Sequence, residues 1–211
     1  MVYIIMCGGN YEEWETPKQM TEVSGEPIVA RTIRLLREAG VDDIRISSNN
    51  PAFNQFGLPV LHHQNGYRAY ASGDFNGYWA DAFYPMNEPV CYIFGDVVFS
   101  PEAIRTIVET DTDTIEFFAS APPFAEEYPK PWAEPFALKV VDHGRLRAAI
   151  NEVKRLYHEG KYARKPIMWE LWTEITGGTI NAIDYNSYVV INDYTCDIDY
   201  PEDAYEFGGI V

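Results

Sequence analysis

Apolar runs alternate with polar turns along the first fifty residues and predict a strand, a helix and a second strand. Residues 2–7 form a continuous apolar run, which is typical of a strand buried on both faces, and Gly8 ends it. After Pro27, apolar side chains at helical spacing predict a helix that stops at Gly40. Residues 43–48 predict the second strand. Together the three elements predict one βαβ unit with a right-handed crossover.

The same alternation continues to the end of the chain. Strands are predicted at residues 59–62, 90–94, 116–119, 136–141 and 188–192, and helices at 76–84, 100–110, 144–158, 167–175 and after Pro201. Five prolines within residues 122–135 exclude a long helix or a central strand there and predict an ordered loop. This order predicts the α/β class, in the form of a three-layer αβα sandwich with a central, mostly parallel mixed sheet.

Length and charge limit the possible organisation and partners. A chain of 211 residues that is 46% hydrophobic predicts a single domain spanning residues 1–211. The net charge is -16, from 32 acidic and 16 basic residues, and a field of this sign repels nucleic acids and anionic membranes. Without a signal-like N-terminus or an apolar stretch of membrane length, we expect a cytoplasmic location. Cys7, Cys91 and Cys196 lie far apart and are expected to be buried free thiols.

Polar residues follow the predicted strands at places where chemistry is common. The backbone of Gly8 and Gly9 can approach a phosphate closely, and Lys18 can bring its charge to the same place. Asp96 closes the strand at 90–94, and Asp199 lies in an acidic segment near the end of the chain. Ligands of open α/β sheets collect beyond the carboxyl ends of the strands, and Mg²⁺ needs only one or two protein carboxylates. An ordinary tight turn at the glycines and a capping role for Asp96 are the alternative interpretation.

Three segments in order carry a family resemblance: MCGGNYEEWETPKQMTEVSGEPIVARTIRLLREAGVDDIRIS at the start, IFGDVVFS in the middle and DIDYPED near the end. The N-terminal segment resembles the signature of the nucleotidyltransferases of the glycosyltransferase-A-like fold. The middle segment is similar to the Gly-Asp motif of that family, and the last segment is similar to its C-terminal Asp-Thr-Pro-Glu-Asp motif. The family includes sugar-phosphate, phosphocholine and molybdenum-cofactor nucleotidyltransferases.

The resemblance implies a role for each matching position. Lys18 and Asp96 would be catalytic, with Lys18 neutralising the charge of the α-phosphate, and Asp96 and Asp199 would coordinate Mg²⁺. The residues expected to bind the nucleotide are Gly8, Gly9, Asn10, Lys18, Asn49, Asn50, Ser72, Gly73 and Asn76. Residues 1–120 would form the nucleotide-binding half and residues 121–211 the acceptor-binding half, with Glu134 and the segment around Trp169 near the acceptor.

By the same resemblance the chain is expected to be a Mg²⁺-dependent enzyme. It would transfer NMP from a nucleoside triphosphate to a small phosphorylated or phosphonate acceptor and release pyrophosphate, for polysaccharide or head-group biosynthesis. CTP is weakly preferred, since the compact chain is more similar to the short cytidylyl members. Trp169 and Trp172 stand at helical spacing, which predicts core packing or, alternatively, a contact in a homodimer.

The first loop departs from the family pattern at two positions. The usual loop reads Gly-Gly-x-Gly-x-Arg, but here Tyr11 stands where the third glycine would be and Glu13 where the arginine would be. Either Arg68, Lys130 or Lys139 supplies the missing charge, or the metal carries more of it, or catalysis has been lost. Two alternatives therefore stay open: a nucleotide sensor that kept the fold without turnover, and a glycosyltransferase of the same fold.

Overall fold

The computed structural model describes residues 1–8, 14, 16–62, 82–122 and 132–207. Its centre is a seven-stranded sheet with the strand order β10-β8-β9-β6-β1-β4-β5. The strands of this sheet are β1 (Val2–Met6), β4 (Ile44–Ser47), β5 (Val60–Leu61), β6 (Val90–Phe94), β8 (Ile115–Ser120), β9 (Pro135–Val140) and β10 (Val189–Ile191). Two short ribbons pair β2 (Glu22–Val23) with β3 (Glu26–Pro27) and β7 (Val97–Val98) with β11 (Cys196–Asp197).

Strand direction in the large sheet is mixed. The pairs β1 with β4, β1 with β6, β4 with β5 and β8 with β10 are parallel. Among the described strands of this sheet, only β9 runs the other way, antiparallel to both β6 and β8. The sheet is therefore mostly parallel, and the amino end of β9 lies at the edge where the parallel strands end.

Five α-helices are described: α1 (Ile28–Glu38), α2 (Pro101–Glu109), α3 (His143–His158), α4 (Met168–Thr176) and α5 (Asp203–Glu206). Two of these helices begin at a residue whose side chain caps the helix. Ser100 caps α2 by accepting the N–H of Ala103, and Asp142 caps α3 by accepting the N–H of Arg145. Short 3₁₀ helices span Lys18–Met20 and Pro51–Phe56. Among the residues that the structure describes, no helix is both long and apolar enough to cross a lipid bilayer.

Helices cover both faces of the sheet. Lys139 pairs with Glu116, the neighbour of Phe117, so Lys139 and Phe117 point to opposite faces. Lys139 reaches the carbonyl of Val108 in α2, whereas the ring of Phe117 packs against Trp169 in α4 with a centroid separation of 5.2 Å. Helices α1 and α2 contact one another, as do α3 and α4. The predicted three-layer αβα sandwich with a mostly parallel mixed sheet is confirmed.

The core consists of the apolar runs that predicted the strands. Ile4, Ile5, Ile93, Phe117 and Leu138 are fully buried in the sheet. All three cysteines are buried thiols that form no disulfide bond, as predicted. Of the helix predicted at 76–84, only residues 82–84 are among those described.

Two features of the fold were not predicted. The hydrophobic pattern does not give the direction of β9, because an apolar strand has the same pattern in either direction. The ribbon of β7 and β11 has only two residue pairs, too few to leave a periodic signal in the sequence.

Candidate active site

The carboxyl edge of the sheet gathers the polar residues that follow the strands. Gly8 lies just beyond β1, and Gly95 and Asp96 follow β6, which is the parallel neighbour of β1. The N–H of Gly95 donates to the carbonyl of Met6 at 3.1 Å, so the two strand ends stay adjacent beyond their regular pairing. In a parallel sheet this edge is the place where ligands bind.

Lys18 lies against this edge with its side chain almost entirely buried. It begins a 3₁₀ helix directly after Pro17, and its side chain is 5% exposed. Its Nζ donates to Oδ2 of Asp96 at 3.0 Å and lies 3.6 Å from Oδ1 of Asp199. Asp96 and Asp199 are 26% and 45% exposed, so one buried ammonium group is paired with two carboxylates that face solvent. The structure thus brings together the three residues of the predicted centre.

The ribbon of β7 and β11 explains why Asp96 and Asp199 meet. Val97 pairs with Asp197, and the N–H of Ile198 donates to the carbonyl of Asp96 at 3.0 Å. Asp199 follows directly, and its N–H is held by Oδ2 of Asp203 at 2.7 Å. The last segment of the chain is therefore laid alongside the residues that follow β6.

Gly95 is required by a close approach of backbone to backbone. A Cβ atom at this position would lie 2.3 Å from the carbonyl oxygen of Met6 and 2.9 Å from Sγ of Cys7. A side chain would push the end of β6 away from β1 and move Asp96 with it. The glycine before Asp96 is thus a steric requirement of the site.

Glu134 brings a further carboxylate to the same edge. It immediately precedes β9, which starts at this edge because it is antiparallel. Its backbone is fixed to Ser120 at the end of β8: the N–H of Glu134 donates to the Ser120 hydroxyl at 2.7 Å, and the N–H of Ser120 donates to the Glu134 carbonyl at 2.9 Å. The indole N–H of Trp132 donates to Oε1 of Glu134. The Glu134 side chain is therefore buried and held in place.

Three carboxylates at this edge form a set that could hold a metal ion. Oxygens of Glu134, Asp197 and Asp199 all lie within 4.8 Å of one another. An all-oxygen, carboxylate donor set fits a hard divalent cation such as Mg²⁺. Asp199 belongs both to this set and to the ion pair with Lys18, so the acidic set and the lysine are adjacent.

The carboxylate of Asp96 also acts on the thiol of Cys7. Burial raises the pKa of Cys7 well above its usual value, and the neighbouring Asp96 carboxylate raises it further. A thiol with such a raised pKa stays protonated and is a poor nucleophile. Cys7 therefore packs under Gly95 as an apolar group.

Only some of the other residues predicted to bind the nucleotide are among those described. Gly9, Asn10, Ser72, Gly73 and Asn76 lie outside the described residues. Asn49 and Asn50 follow β4 at the carboxyl edge and are exposed. The carboxamide oxygen of Asn50 accepts the N–H of Ala52 at 2.9 Å and caps the 3₁₀ helix Pro51–Phe56. Asn50 thus has a structural role whether or not a nucleotide binds.

Lys139 does not replace the missing loop arginine. Its Nζ donates to the carbonyls of Val108 and Thr110 at the end of α2, at 3.0 and 2.5 Å, and its side chain is buried beneath that helix. The sequence left this possibility open because a lysine in a strand gives no sign of where its side chain ends. The other two candidates, Arg68 and Lys130, lie outside the described residues, as does Glu13.

The tryptophans of α4 are core residues. Trp169 and Trp172 are both 5% exposed, and their rings lie 5.2 and 5.3 Å from the ring of Phe117. Tyr188 completes this cluster, with its ring 5.6 Å from Phe117 and its hydroxyl donating to the Ser120 carbonyl at 2.7 Å. The prediction of core packing is therefore confirmed for both tryptophans.

Sequence reasoning missed Glu134 and Asp197 as possible metal ligands. Asp197 was visible as the first aspartate of an Asp-x-Asp pair, and that spacing was the available signal. Glu134 had no comparable signal, because its place depends on the direction of β9.

Comparison with known proteins identifies the family and the fold. The family model described as "MobA-like NTP transferase domain" matches residues 3–164. The structure is similar to the inositol-1-phosphate CTP transferase of T. maritima, with a TM-score of 0.51, 14% identity, and coverage of 98% of this chain and 94% of that one. It is also similar to a protein of Bacillus anthracis assigned as a glucose-1-phosphate thymidylyltransferase, with a TM-score of 0.58, 15% identity, and coverage of 99% and 94%.

No curated protein sequence matches the chain significantly. The family model nevertheless covers most of the chain, including all but the first residue of β1, and Lys18, Asp96 and Glu134. The chain is therefore a nucleotidyltransferase: it belongs to the family of MobA-like NTP transferase domains.

Proposed function

We propose that this nucleotidyltransferase transfers NMP from a nucleoside triphosphate to a small phosphorylated or phosphonate acceptor and releases pyrophosphate. The observation that carries the proposal is the convergence of Lys18 with Asp96 and Asp199 at the carboxyl edge of the sheet. A buried ammonium beside two partly exposed carboxylates offers both a charge for a phosphate and ligands for a cation.

The chemistry needs charge neutralisation and positioning rather than a covalent nucleophile. An oxygen of the acceptor attacks the α-phosphorus, a new P–O bond forms, and the bond to the bridging oxygen breaks, so that pyrophosphate leaves with the electron pair. The attacking oxygen is already anionic, so no general base is required. Lys18 is proposed to stabilise the negative charge that develops on the α-phosphate.

The acidic residues are proposed to hold a divalent cation, Mg²⁺ by preference. Asp96 and Asp199 are the predicted ligands. The carboxylates whose oxygens lie within 4.8 Å of one another are those of Asp199, Asp197 and Glu134, and Asp96 adjoins this set through its ion pair with Lys18. The bound cation would neutralise the triphosphate and the leaving pyrophosphate. The ammonium of Lys18 lies within 4 Å of both Asp96 and Asp199, and this supports a site in which the two carboxylates share one positive charge.

The two halves of the chain are proposed to divide the substrates within one domain. Residues 1–120 supply the glycine turn, Lys18 and Asp96 to the nucleotide. Residues 121–211 bind the acceptor and also supply the cation ligands Glu134, Asp197 and Asp199. The names of two structural neighbours support the substrate classes: one is a CTP transferase acting on inositol 1-phosphate, and the other is assigned to glucose 1-phosphate. CTP and a sugar or polyol phosphate are therefore the first pair to test.

A pyrophosphate-release assay tests the proposal. Each of the four nucleoside triphosphates is combined with Mg²⁺ and a panel of sugar, polyol and amino-alcohol phosphates. Turnover that is lost in Lys18→Ala and Asp96→Asn, and kept in the exposed controls Lys161→Ala and Asp113→Asn, supports the proposal. Tight nucleotide binding without pyrophosphate release under every acceptor would contradict it and favour a sensor.

A further inference from the structure

The segment with Asp197 and Asp199 is joined to the segment with Asp96 by little backbone pairing. Strands β11 and β7 share two residue pairs, and the N–H of Ile198 adds one bond to the carbonyl of Asp96. A two-stranded ribbon of this length has little stability of its own. A slip by one residue would turn Asp197 to the opposite face. The register of the carboxylates therefore depends on contacts outside the ribbon.

Ser100, Asp193 and Thr195 form a closed set of hydrogen bonds at the far end of this ribbon. The N–H of Ser100 donates to Oγ1 of Thr195 at 2.9 Å, and the N–H of Thr195 donates to Oδ1 of Asp193 at 2.7 Å. The hydroxyl of Ser100 donates to Oδ2 of Asp193 at 2.5 Å. We name these three residues the register clamp, because they join the β7–α2 connection to the residues just before β11.

The register clamp is anchored to a helix. The hydroxyl oxygen of Ser100 also accepts the N–H of Ala103 at 2.9 Å, so the same side chain is the N-cap of α2. Ser100 and Thr195 are buried, and Asp193 is half-buried. Buried hydrogen bonds of this kind are costly to break, because each orphaned group keeps its desolvation penalty. The clamp is thus a firmly fixed point near the ribbon.

Arg31 of α1 holds the same two segments from one side. Its Nε donates to the carbonyl of Phe99 at 3.1 Å, and its Nη2 donates to the hydroxyl of Tyr194 at 3.1 Å. Phe99 precedes Ser100, and Tyr194 lies between the other two members of the clamp. Two helices therefore brace the place where the C-terminal segment joins the β6–α2 connection.

We propose that the register clamp sets the position of Asp197 and Asp199 relative to Asp96, and that Asp193 and Thr195 are positioning residues. Asp193 stands four residues before Asp197, and Ser100 four residues after Asp96, so the clamp closes the ribbon opposite the carboxylates. The clamp acts on the metal-binding carboxylates, and its consequence for activity rests on the proposed function. Neither Asp193 nor Thr195 is a metal ligand in this scheme.

The pair Thr195→Val and Thr195→Ser tests the clamp, because valine keeps the shape and removes the hydroxyl, whereas serine keeps the hydroxyl. Binding of Mn²⁺ alone to the full chain is measured by the electron paramagnetic resonance signal of free Mn²⁺. Thr195→Val is expected to bind Mn²⁺ about tenfold more weakly, as residues that orient metal ligands commonly show. Thr195→Ser is expected to restore the wild-type affinity. Thr32→Val, which removes another fully buried hydroxyl from α1, is the matched control and should leave Mn²⁺ binding unchanged.

A second measurement is independent of metal binding. The rate of hydrogen exchange at the Ile198 N–H is expected to rise in Thr195→Val and not in Thr32→Val. Urea unfolding of each variant shows whether a faster rate exceeds what the change in global stability would cause. Wild-type protection of Ile198 together with wild-type Mn²⁺ affinity in Thr195→Val would overturn the clamp. If wild-type protein itself bound no Mn²⁺, the proposed metal site would fail, and the exchange of Ile198 would still decide the clamp. Should Thr195→Val fail to fold, Asp193→Asn gives the same two readouts, since it keeps one acceptor oxygen and loses the other.

Discussion

Two buried lysines, one at the edge of the sheet and one on its face, show how differently the fold can use the same side chain. Lys18 is 5% exposed and Lys139 is 2% exposed. The ammonium of Lys18 is paired with Asp96 and Asp199, whose carboxylates are partly open to solvent. The ammonium of Lys139 is bound by two backbone carbonyls at the end of α2.

The difference lies in the partners. Carboxylates at a solvent-facing edge can exchange one cation for another. In the proposed function, Lys18 would interact with a phosphate while a metal ion takes its place beside the carboxylates. The carbonyls at the end of α2 are fixed by the helix, and a positive charge there complements the helix dipole. Burial of a lysine therefore does not indicate catalysis unless its partners can be replaced by a ligand.

The largest expected effect separates the two lysines by activity. Lys18→Met should lower kcat/KM on the order of 100-fold or more, since it removes a group that stabilises charge in the transition state. Lys139→Met is the matched control and should keep kcat/KM. The measurement is pyrophosphate release with the preferred nucleotide and acceptor. Equal losses of kcat/KM in both variants would show that Lys18 contributes no more to catalysis than Lys139.

A second expected effect concerns the geometry that presents Asp96 to Lys18. Gly95→Ala places a Cβ within 2.3 Å of the Met6 carbonyl oxygen, and overpacking of this kind costs about 1–3 kcal/mol of unfolding free energy. Activity should fall as well, because Asp96 moves with the backbone. Urea unfolding measures the stability. Gly144→Ala in the first turn of α3 is the control: its Cβ would meet the flexible Asp142 carboxylate at 3.3 Å and no backbone atom, so the expected change in stability is small. A Gly95→Ala variant as stable and active as wild type would refute the close approach.

A third expected effect concerns stability at the interior lysine. Lys139→Met leaves the carbonyls of Val108 and Thr110 without their donor, which costs free energy, but it also removes a buried charge. The net loss of unfolding free energy is expected to be about 1 kcal/mol. Lys18→Met should cost less, because Asp96 and Asp199 can be hydrated. Urea unfolding measures both losses. A larger loss of unfolding free energy in Lys18→Met than in Lys139→Met would contradict this account.

The smallest expected effect is a pH dependence. Burial lowers the pKa of Lys139 from its usual 10.5. Between the lowered value and 10.5 the unfolded chain binds more protons than the folded chain, so the contribution of Lys139 to stability rises with pH in that window. The difference in unfolding free energy between wild type and Lys139→Met should therefore grow as pH approaches 10.5. A flat difference across this range would show that the Lys139 pKa is not lowered.

Much of the fold could be predicted because its elements are encoded locally. Apolar runs predicted β1, β4, β6, β8 and β9 within about two residues, and Ser100 with Pro101 correctly marked the start of α2. The ribbon of β7 and β11 was not predicted, because its pairing joins segments that are far apart in the sequence. The sheet order was likewise not encoded in any single segment.

The candidate site was predicted in part. Lys18, Asp96 and Asp199 were named from motif order, and the structure brings them to one place, while their roles stay predictions. The sequence places Glu134 near the acceptor and offers Lys139 as one source of the missing loop charge. In the structure Glu134 joins the acidic set and Lys139 is bound beneath α2.

The sequence by itself determined the α/β class, the strand ends that carry chemistry and the excess of negative charge. Only the tertiary structure decided which carboxylates meet, because the position of Glu134 follows from the direction of β9 and that of Asp197 from the register of a two-pair ribbon. The physical reason is that local patterns record which side chains are buried, whereas strand direction and register depend on contacts between distant segments.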